Sequence, residues 1–333
     1  GVAQTLVHTG QHYSDAMSDI FFEQLQLPRP DVNLGVGSGT HARQTAAVMI
    51  GLEDLFLADR PDLVVVYGDV NSTVAAALVA AKLHIPVAHV EAGLRSFDMT
   101  MPEEVNRILT DQLSDLLLVT SEDAIEHLRR EGRPAEAIHF VGNPMIDTLM
   151  ANREKFDAAA ARAEYGLDGD YLVGTLHRPG NVDDEDDARR VVAALAAASE
   201  HAPLLLPLHP RGRDLLLRLG LDAARNVRIL EPLGYIEFMS LVSGASAVIT
   251  DSGGVQEETT ILGVPCFTMR PNTERPVTIT HGTNRLVTSS DLVDHVTAAL
   301  AAGRPASWPV PPLWDGNAGE RIAEVMTDWL ASR

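Results

Sequence analysis

The sequence predicts an α/β protein built from two doubly wound, Rossmann-like units. Three observations predict it. Apolar runs of strand length alternate with helix-like segments through both halves of the chain, as parallel strands joined by helical crossovers require. The 333 residues correspond to two domains at roughly 150 residues each. The alternation pauses once, where Asn143-Pro144 leads into a Met/Ala/Lys-containing helix and the polar stretch 165–170 (YGLDGD), the predicted linker, and then restarts. Residues 1–148 are the first predicted unit and 165–310 the second, with a closing helix in 315–333 available to pack back on the first.

The first unit reads as a strand over residues 5–8, a strand over 63–67, a helix from about Ser72 to Lys82 and a strand over 87–90. A helix over about 102–113, a strand over 116–120, a helix opened by Ser121, Glu122 and Asp123 and stopped at Glu131-Gly132-Arg133-Pro134, and a strand over 138–141 complete it. The start lacks an initiator Met and enters a strand almost at once, whereas an α/β unit more often has a strand and a helix before that point. The second unit alternates strands over 171–176, 204–208, 227–230, 247–250 and 265–269 with helices over about 185–201, 212–219, 235–243 and 255–262. After the Pro-rich stretch 305–312, residues 317–332 pattern as one amphipathic helix.

Composition excludes several classes of function. Lys and Arg number 26 against 46 Asp and Glu, a net charge of −20 that repels nucleic acid and anionic lipid surfaces. No run approaches the roughly 20 apolar residues of a membrane span and no basic-then-apolar leader opens the chain, so the expected location is the cytoplasm. Cys266 is the single cysteine; it precludes an intrachain disulfide, and its apolar neighbours predict a buried, inert thiol.

The strongest local signal is Asp251-Ser252-Gly253-Gly254-Val255-Gln256-Glu257-Glu258 after the apolar run 247–250. A strand turning through Ser-Gly-Gly into a helix aims free N–H groups and the positive helix end at one point, which suits a phosphate. Glu258, one turn in, suits ribose hydroxyls better than phosphate, because like charges repel. The local alternative is an ordinary N-cap at Ser252 and a tight turn at the glycines. Downstream, Arg270 and Arg275 lie beyond the strand that ends near Met269, at the carboxyl edge where open α/β sheets bind ligands, and can offset a diphosphate. The alternative there is solvated loop charge paired with Glu274.

A second constellation lies in the first unit. Asp69 ends one strand and Glu91 the next, and Glu103 begins a helix, so that three carboxylates can converge at one sheet edge. Clustered carboxylates suit proton transfer, since repulsion and burial raise their pKa values. Asp69 could instead cap the Ser72 helix, and Thr100 with Glu103 fits a capping box; Glu91 has no such local role. His177-Arg178 ends the first strand of the second unit, His209-Pro210-Arg211 repeats the arrangement one strand later, and Gln11-His12 follows the strand at 5–8 in the same way. The run Gly35, Gly37, Gly39 lacks the GxGxxG spacing, and no P-loop lysine is present. Acidic residues 183–187 fit a helix N-terminus, and the twelve histidines show no metal-ligand spacing, so no metal is expected.

Together, TGQHYSDAM (9–17), GDVNST (68–73), HVEAGLRS (89–96), PEEVNR (102–107), VGNPMID (141–147), TLHRPGN (175–181), HPR (209–211), DSGGVQEE (251–258) and TERP (273–276) resemble, in order, the non-hydrolysing UDP-N-acetylglucosamine 2-epimerases. The resemblance implies a glycosyltransferase-B-like pair of Rossmann-like domains facing across a cleft, with UDP held mainly by the second. It implies acid/base roles for Asp69, Glu91, Glu103 and His177, and diphosphate contacts from Ser252, Gly253, Gly254 and Arg275. Glu258 would hold the ribose and Phe238 lie by the uracil, with Gln11, His12, Arg178, His209 and Arg211 also binding substrate. The implied chemistry is anti elimination of UDP to 2-acetamidoglucal and re-addition, without a cofactor, on UDP-N-acetylglucosamine. A homodimer is the expected assembly. The family pattern also has a first strand and an Arg-bearing GTRPE-type loop ahead of the point where this sequence begins. Gly180 stands where many relatives have Glu, and Ser14 where some have a second Gln.

Overall fold

A computed structural model describes residues 2–10, 24, 25, 27–208 and 210–333. The chain forms two compact units, Gly1–Asp147 with Pro312–Arg333, and Thr148–Pro311. The crossing from one to the other falls inside a single helix, Pro144–Asn152. Among the described residues, no helix is long and apolar enough to cross a membrane.

In the first unit, β1 (Val7–His8) pairs in parallel with β2 (Val32–Asn33). A separate parallel sheet has the order β3 (Val64–Tyr67), β4 (Val87–Ala92), β5 (Leu116–Val119), β6 (Ile138–Phe140). Every residue of β5 is buried, as a continuous Leu/Val run covered on both faces requires. The helix His41–Ala58 turns Gln44, Val48, Leu52 and Phe56 inward at a four-residue spacing, a stripe along one face. Val48, Leu52 and Phe56 join Val64, Val66 and the alanines of the helix Asn71–Lys82 in one core. Val7, Leu34 and Val36 pack against the same core, so the two-stranded pair and the four-stranded sheet share it. The Thr9 hydroxyl, just past β1, meets the Ser72 hydroxyl at 2.8 Å.

The closing helix, Ala318–Ala331, belongs to this unit. Ile322, Val325, Met326 and Trp329 cover Ala88, Val90, Leu116 and Leu118. Its N-cap, Asn317, makes no side-chain cap bond; Asp147 instead accepts from Ala318 N at 3.0 Å and Gly319 N at 2.6 Å. A carboxylate from 171 residues away therefore satisfies the orphan donors and complements the helix dipole. The Trp314 indole donates to Thr120 O at 2.8 Å.

The second unit is one six-stranded parallel sheet. Its strands are β7 (Leu172–Thr175), β8 (Leu204–Pro207), β9 (Val227–Leu230), β10 (Ala247–Thr250), β11 (Cys266–Thr268) and β12 (Asn284–Leu286). The order β12-β11-β10-β7-β8-β9 winds outward in both directions from the β7/β10 pair, which makes that pair the topological switch point. The strand β12 and the helices His41–Ala58 and Leu292–Ala302 go beyond the elements read from sequence. β12 is only three residues long, with Asn284 its one buried residue, too little for a period-two signal. Cys266 is fully buried, and burial pushes its thiol up to about 11.

Gly142 has φ +88, and a Cβ added there would lie 2.2 Å from the Leu313 carbonyl oxygen. Gly142→Ala should cost about 2–4 kcal/mol from backbone strain plus displacement of the 313–314 segment. Urea denaturation checks this; stability within about 0.5 kcal/mol of wild type would contradict it.

Candidate active site

At the carboxyl edge of the first unit's sheet, β3 and β4 end side by side. Gly68, at φ +63, follows β3, and its N–H donates to Val90 O at 3.1 Å. Glu91 has φ +73, and the β4/β5 register slips between Val90 and Ala92 around it. A bulge in which a glutamate holds a left-handed conformation re-aims that side chain. Such a conformation costs of order 1–3 kcal/mol and is held only where the surrounding structure enforces it. The Glu91 carboxylate lies over Gly68, where an added Cβ would sit 3.4 Å from Oε2.

Asp69 forms an ion pair with Arg107, whose other terminal nitrogen donates to Glu104 Oε2 at 3.0 Å. Asn106 Nδ2 donates to the Asp69 carbonyl at 2.9 Å. The helix Asn71–Lys82, the alternative partner for Asp69, has Val70 at its N-cap and no side-chain cap bond. The capping box that Thr100 and Glu103 offered as the alternative is absent as well. Met101 occupies the N-cap of the helix Pro102–Leu113, and the Thr100 hydroxyl donates to Asp98 at 2.6 Å. Glu104 ties down the preceding loop instead, accepting from Ser96 N at 2.9 Å and Phe97 N at 3.0 Å. Glu103 is half-buried on the first turn and has no hydrogen bond among the described residues.

Behind Glu91 lies a buried polar chain that the motif reading missed. His89 Nδ1 meets Asp111 Oδ1 at 2.7 Å and Nε2 meets Gly68 O at 2.8 Å. Asp111 Oδ2 accepts from Gly93 N at 3.1 Å and pairs with Arg95 at 2.7 Å, and Arg95 forks onto Glu131. Burial opposes ionisation of Asp111, but His89 and Arg95 outweigh it and hold the carboxyl below its usual range. One signal was available: the buried face of the helix Pro102–Leu113 is Glu104, Arg107, Thr110 and Asp111, entirely polar where a core helix would be apolar.

In the second unit, the predicted groups flank the switch point. Asp251, fully buried after β10, accepts from His177 N at 3.1 Å, Arg178 N at 2.9 Å and Asn181 Nδ2 at 3.0 Å. His177 Nδ1 lies 3.0 Å from Asp251 Oδ1, with the side chain 44 % exposed. The burial penalty on Asp251 is overcome by these donors, His177 foremost, so its carboxyl sits below the usual range. The ring is thus braced by Asp251 while the side chain stays partly open to solvent, a geometry suited to proton transfer.

Ser252 occupies the N-cap of the helix Gly253–Leu262 but makes no side-chain cap bond, so the first-turn N–H groups are left to a ligand or solvent. A Cβ on Gly253 would fall 2.5 Å from an Arg275 terminal nitrogen, so only glycine lets that guanidinium approach the turn. Arg275 donates to Glu257 at 2.7 Å and Glu274 at 2.5 Å, and Arg270 pairs with Glu274 at 2.7 Å. Arg178 comes within 3.7 Å of Glu274. Arg270, Glu274 and Arg275 are 7 %, 2 % and 8 % exposed, which corrects the alternative of solvated loop charge. Three guanidinium groups thus face two carboxylates at this turn, and Glu274 is held well below the usual carboxylate range against the cost of its burial.

Glu258 differs from both. Burial, opposed by the Tyr235 hydroxyl and reinforced by the Glu257 charge, pushes its pKa up to about 8. Phe238 lies half-buried on the helix Tyr235–Gly244, three residues after Tyr235 and so on the same face. Gln11, His12 and His209 lie outside the described residues, and Arg211 is placed by its backbone alone, on the helix Pro210–Arg218.

A carboxyl with a raised folded pKa retains its proton at pH values where the unfolded chain has lost it. Its contribution to stability therefore falls as pH rises from about 4.5 to about 8. Glu258→Gln should remove that slope and gain roughly 2–5 kcal/mol on wild type between pH 5 and pH 8.5. Denaturation of both proteins across that range tests it; a pH-independent difference would refute it.

The model of the UDP-N-acetylglucosamine 2-epimerase family matches residues 1–327. The UDP-N-acetylglucosamine 2-epimerase of Methanocaldococcus jannaschii is 42% identical over 332 residues, covering 97% of this chain and 90% of that protein. The UDP-2,3-diacetamido-2,3-dideoxy-D-glucuronate 2-epimerase of Pseudomonas aeruginosa is 44% identical over 331 residues, covering 98% and 91%. The crystal structure of the Methanocaldococcus enzyme in complex with UDP-GlcNAc and UDP superposes with a TM-score of 0.88, covering 96% of this chain and 91% of that one. Rossmann-like units carrying these motifs, and identity at this level along nearly the whole length, place the chain in the UDP-N-acetylglucosamine 2-epimerase family.

Proposed function

We infer that the protein is a UDP-N-acetylglucosamine 2-epimerase that interconverts UDP-N-acetylglucosamine and UDP-N-acetylmannosamine. The observation that carries this reading is Glu91, a carboxylate held at a left-handed bulge on a strand end, in a chain 42% identical to an enzyme of that name. The C2 proton of the sugar is not adjacent to a carbonyl, so its direct removal would leave an unstabilised anion. Expelling UDP provides the electron sink: the C1–O pair leaves with UDP, the C2–H pair becomes the C1–C2 double bond, and the proton passes to a carboxylate. UDP then re-adds at C1 while a proton is delivered to the opposite face of C2. No redox cofactor enters the balance.

In this reading Glu91 takes the C2 proton, Asp69 and Glu103 serve the opposite transfer, and His177 exchanges a proton with the departing diphosphate. Ser252, Gly253, Gly254 and Arg275 stabilise the charge developing on UDP. Glu258 accepts from ribose hydroxyls, Phe238 lies by the uracil, and Gln11, His12, Arg178, His209 and Arg211 complete the binding set. The 44% identity to the UDP-2,3-diacetamido-glucuronate 2-epimerase supports a second reading, with that sugar as substrate and the same chemistry at C2. A homodimer is the assembly this reading carries, and sedimentation measures it.

Incubation in deuterated water should place deuterium at C2 and yield the manno epimer. No exchange with either sugar would remove the epimerase assignment, and exchange only with the diacetamido-glucuronate would establish the second reading. Glu91→Gln should lower C2 exchange at least about 1,000-fold while UDP affinity stays within about twofold, since proton transfer and binding draw on different groups. Arg275→Ala should raise the Kd for UDP about 10- to 100-fold, the loss of one charge-assisted contact. Calorimetric titration separates the two; a large loss of UDP affinity in the glutamate variant would contradict this division of roles.

A further inference from the structure

The reaction assigned above gives roles to Asp69, Glu91 and Glu103, but none to the fully buried His89 that stands two residues before Glu91 on β4. Its ring lies between two acceptors, Asp111 Oδ1 at 2.7 Å and the Gly68 carbonyl at 2.8 Å. A carbonyl oxygen can only accept, so Nε2 donates to Gly68 O. Asp111 in turn accepts from Gly93 N at 3.1 Å and is braced from outside by Arg95 and Glu131. Gly68 and Gly93 both have positive φ, +63 and +78, and they bracket Glu91 in space and in sequence respectively. A Cβ on Gly93 would collide with the Ala124 carbonyl oxygen at 2.7 Å, so that backbone has little room to shift.

The geometry points to His89 as a positioning residue: by holding the Gly68 carbonyl from one nitrogen and Asp111 from the other, it fixes the β3 turn over which the Glu91 carboxylate lies. This rests on Glu91 being the group that handles the C2 proton. His89 touches no substrate. It sets the distance and angle at which Glu91 meets the proton, and a displacement of a fraction of an ångström there lowers the chemical step rather than binding. The Gly68 bond carries the effect, and the Asp111 bond keeps the ring in place.

The two bonds can be separated. In His89→Gln the amide nitrogen falls near the position of Nε2 and can still donate to Gly68 O. In His89→Asn it falls near Nδ1 and reaches only Asp111. The expected result is C2 deuterium exchange within about threefold of wild type for H89Q. For H89N, kcat falls about 30-fold or more, with KM and the Kd for UDP within about twofold for both. A purely structural role predicts that kcat follows melting temperature in both variants alike, and that result overturns the proposal. Glu131→Gln, at the 28 % exposed outer end of the chain of bonds, tests it without opening the core. A three- to tenfold fall in kcat with unchanged UDP affinity supports the proposal, and unchanged kcat counts against it even if H89N fails to fold. Glu91→Gln run in parallel separates the two ideas. If it retains exchange, the role of Glu91 fails and the positioning role with it; if it abolishes exchange while H89N behaves as wild type, only the role of His89 fails.

Discussion

A fully buried aspartate organises the strand ends in each unit, and the site geometry depends on it. Asp251 follows β10 and gathers the backbone N–H groups of His177 and Arg178 beyond the neighbouring strand β7. Asp111 lies on a helix, yet it does the equivalent work at the end of β4, gathering Gly93 N and the His89 ring. In both cases the carboxyl stays ionised against its burial because several donors converge on it. Parallel sheets leave such edges open, since each strand's last N–H groups lack a ladder partner. A buried carboxylate satisfies several of these groups at once, and a neutral side chain of the same size could not accept from all of them.

That arrangement lets strained backbone persist. Glu91 at φ +73 is held between the fixed turns at Gly68 and Gly93, and its unfavourable conformation is offset by hydrogen bonds elsewhere. The charge around the second unit's turn follows similar logic. In a chain of net charge −20, Arg178, Arg270 and Arg275 converge on Glu274, with Glu257 as a second counter-charge, so the guanidinium groups are oriented before any ligand arrives. Glu258 is the exception: among the described residues no guanidinium is paired with it, its proton is retained by burial, and a ligand hydroxyl donating to it favours the ionised form.

Motifs at strand ends were legible in the sequence because three things coincide there: an apolar run, a Gly or Ser turn and a helix start. Asp69, Glu91, His177 and the 251–258 turn all lie where that pattern put them. Their partners were not legible. Arg107 is 38 residues from Asp69, and Asp111 is 22 residues from His89. Only the packing of the helix Pro102–Leu113 against those strand ends brings them together, and a polar residue on a helix gives no local sign of which strand end it will face. The local alternatives failed because a nearby turn or charge competes successfully for a side chain that a cap could have used: Thr100 turns to Asp98, and Asp69 to Arg107.

The sequence by itself determined the alternation of strands and helices, the placing of carboxylates and glycines at strand ends, and the family. Each of these rests on local periodicity or on residue order. Only the tertiary structure decided the strand order that puts β7 beside β10 at the switch point, and the pairing of His89, Asp111 and Arg95 behind Glu91. It also decided that the closing helix takes its N-terminal cap from Asp147. These are non-local choices, set by which surfaces bury together and which buried polar groups must then find one another.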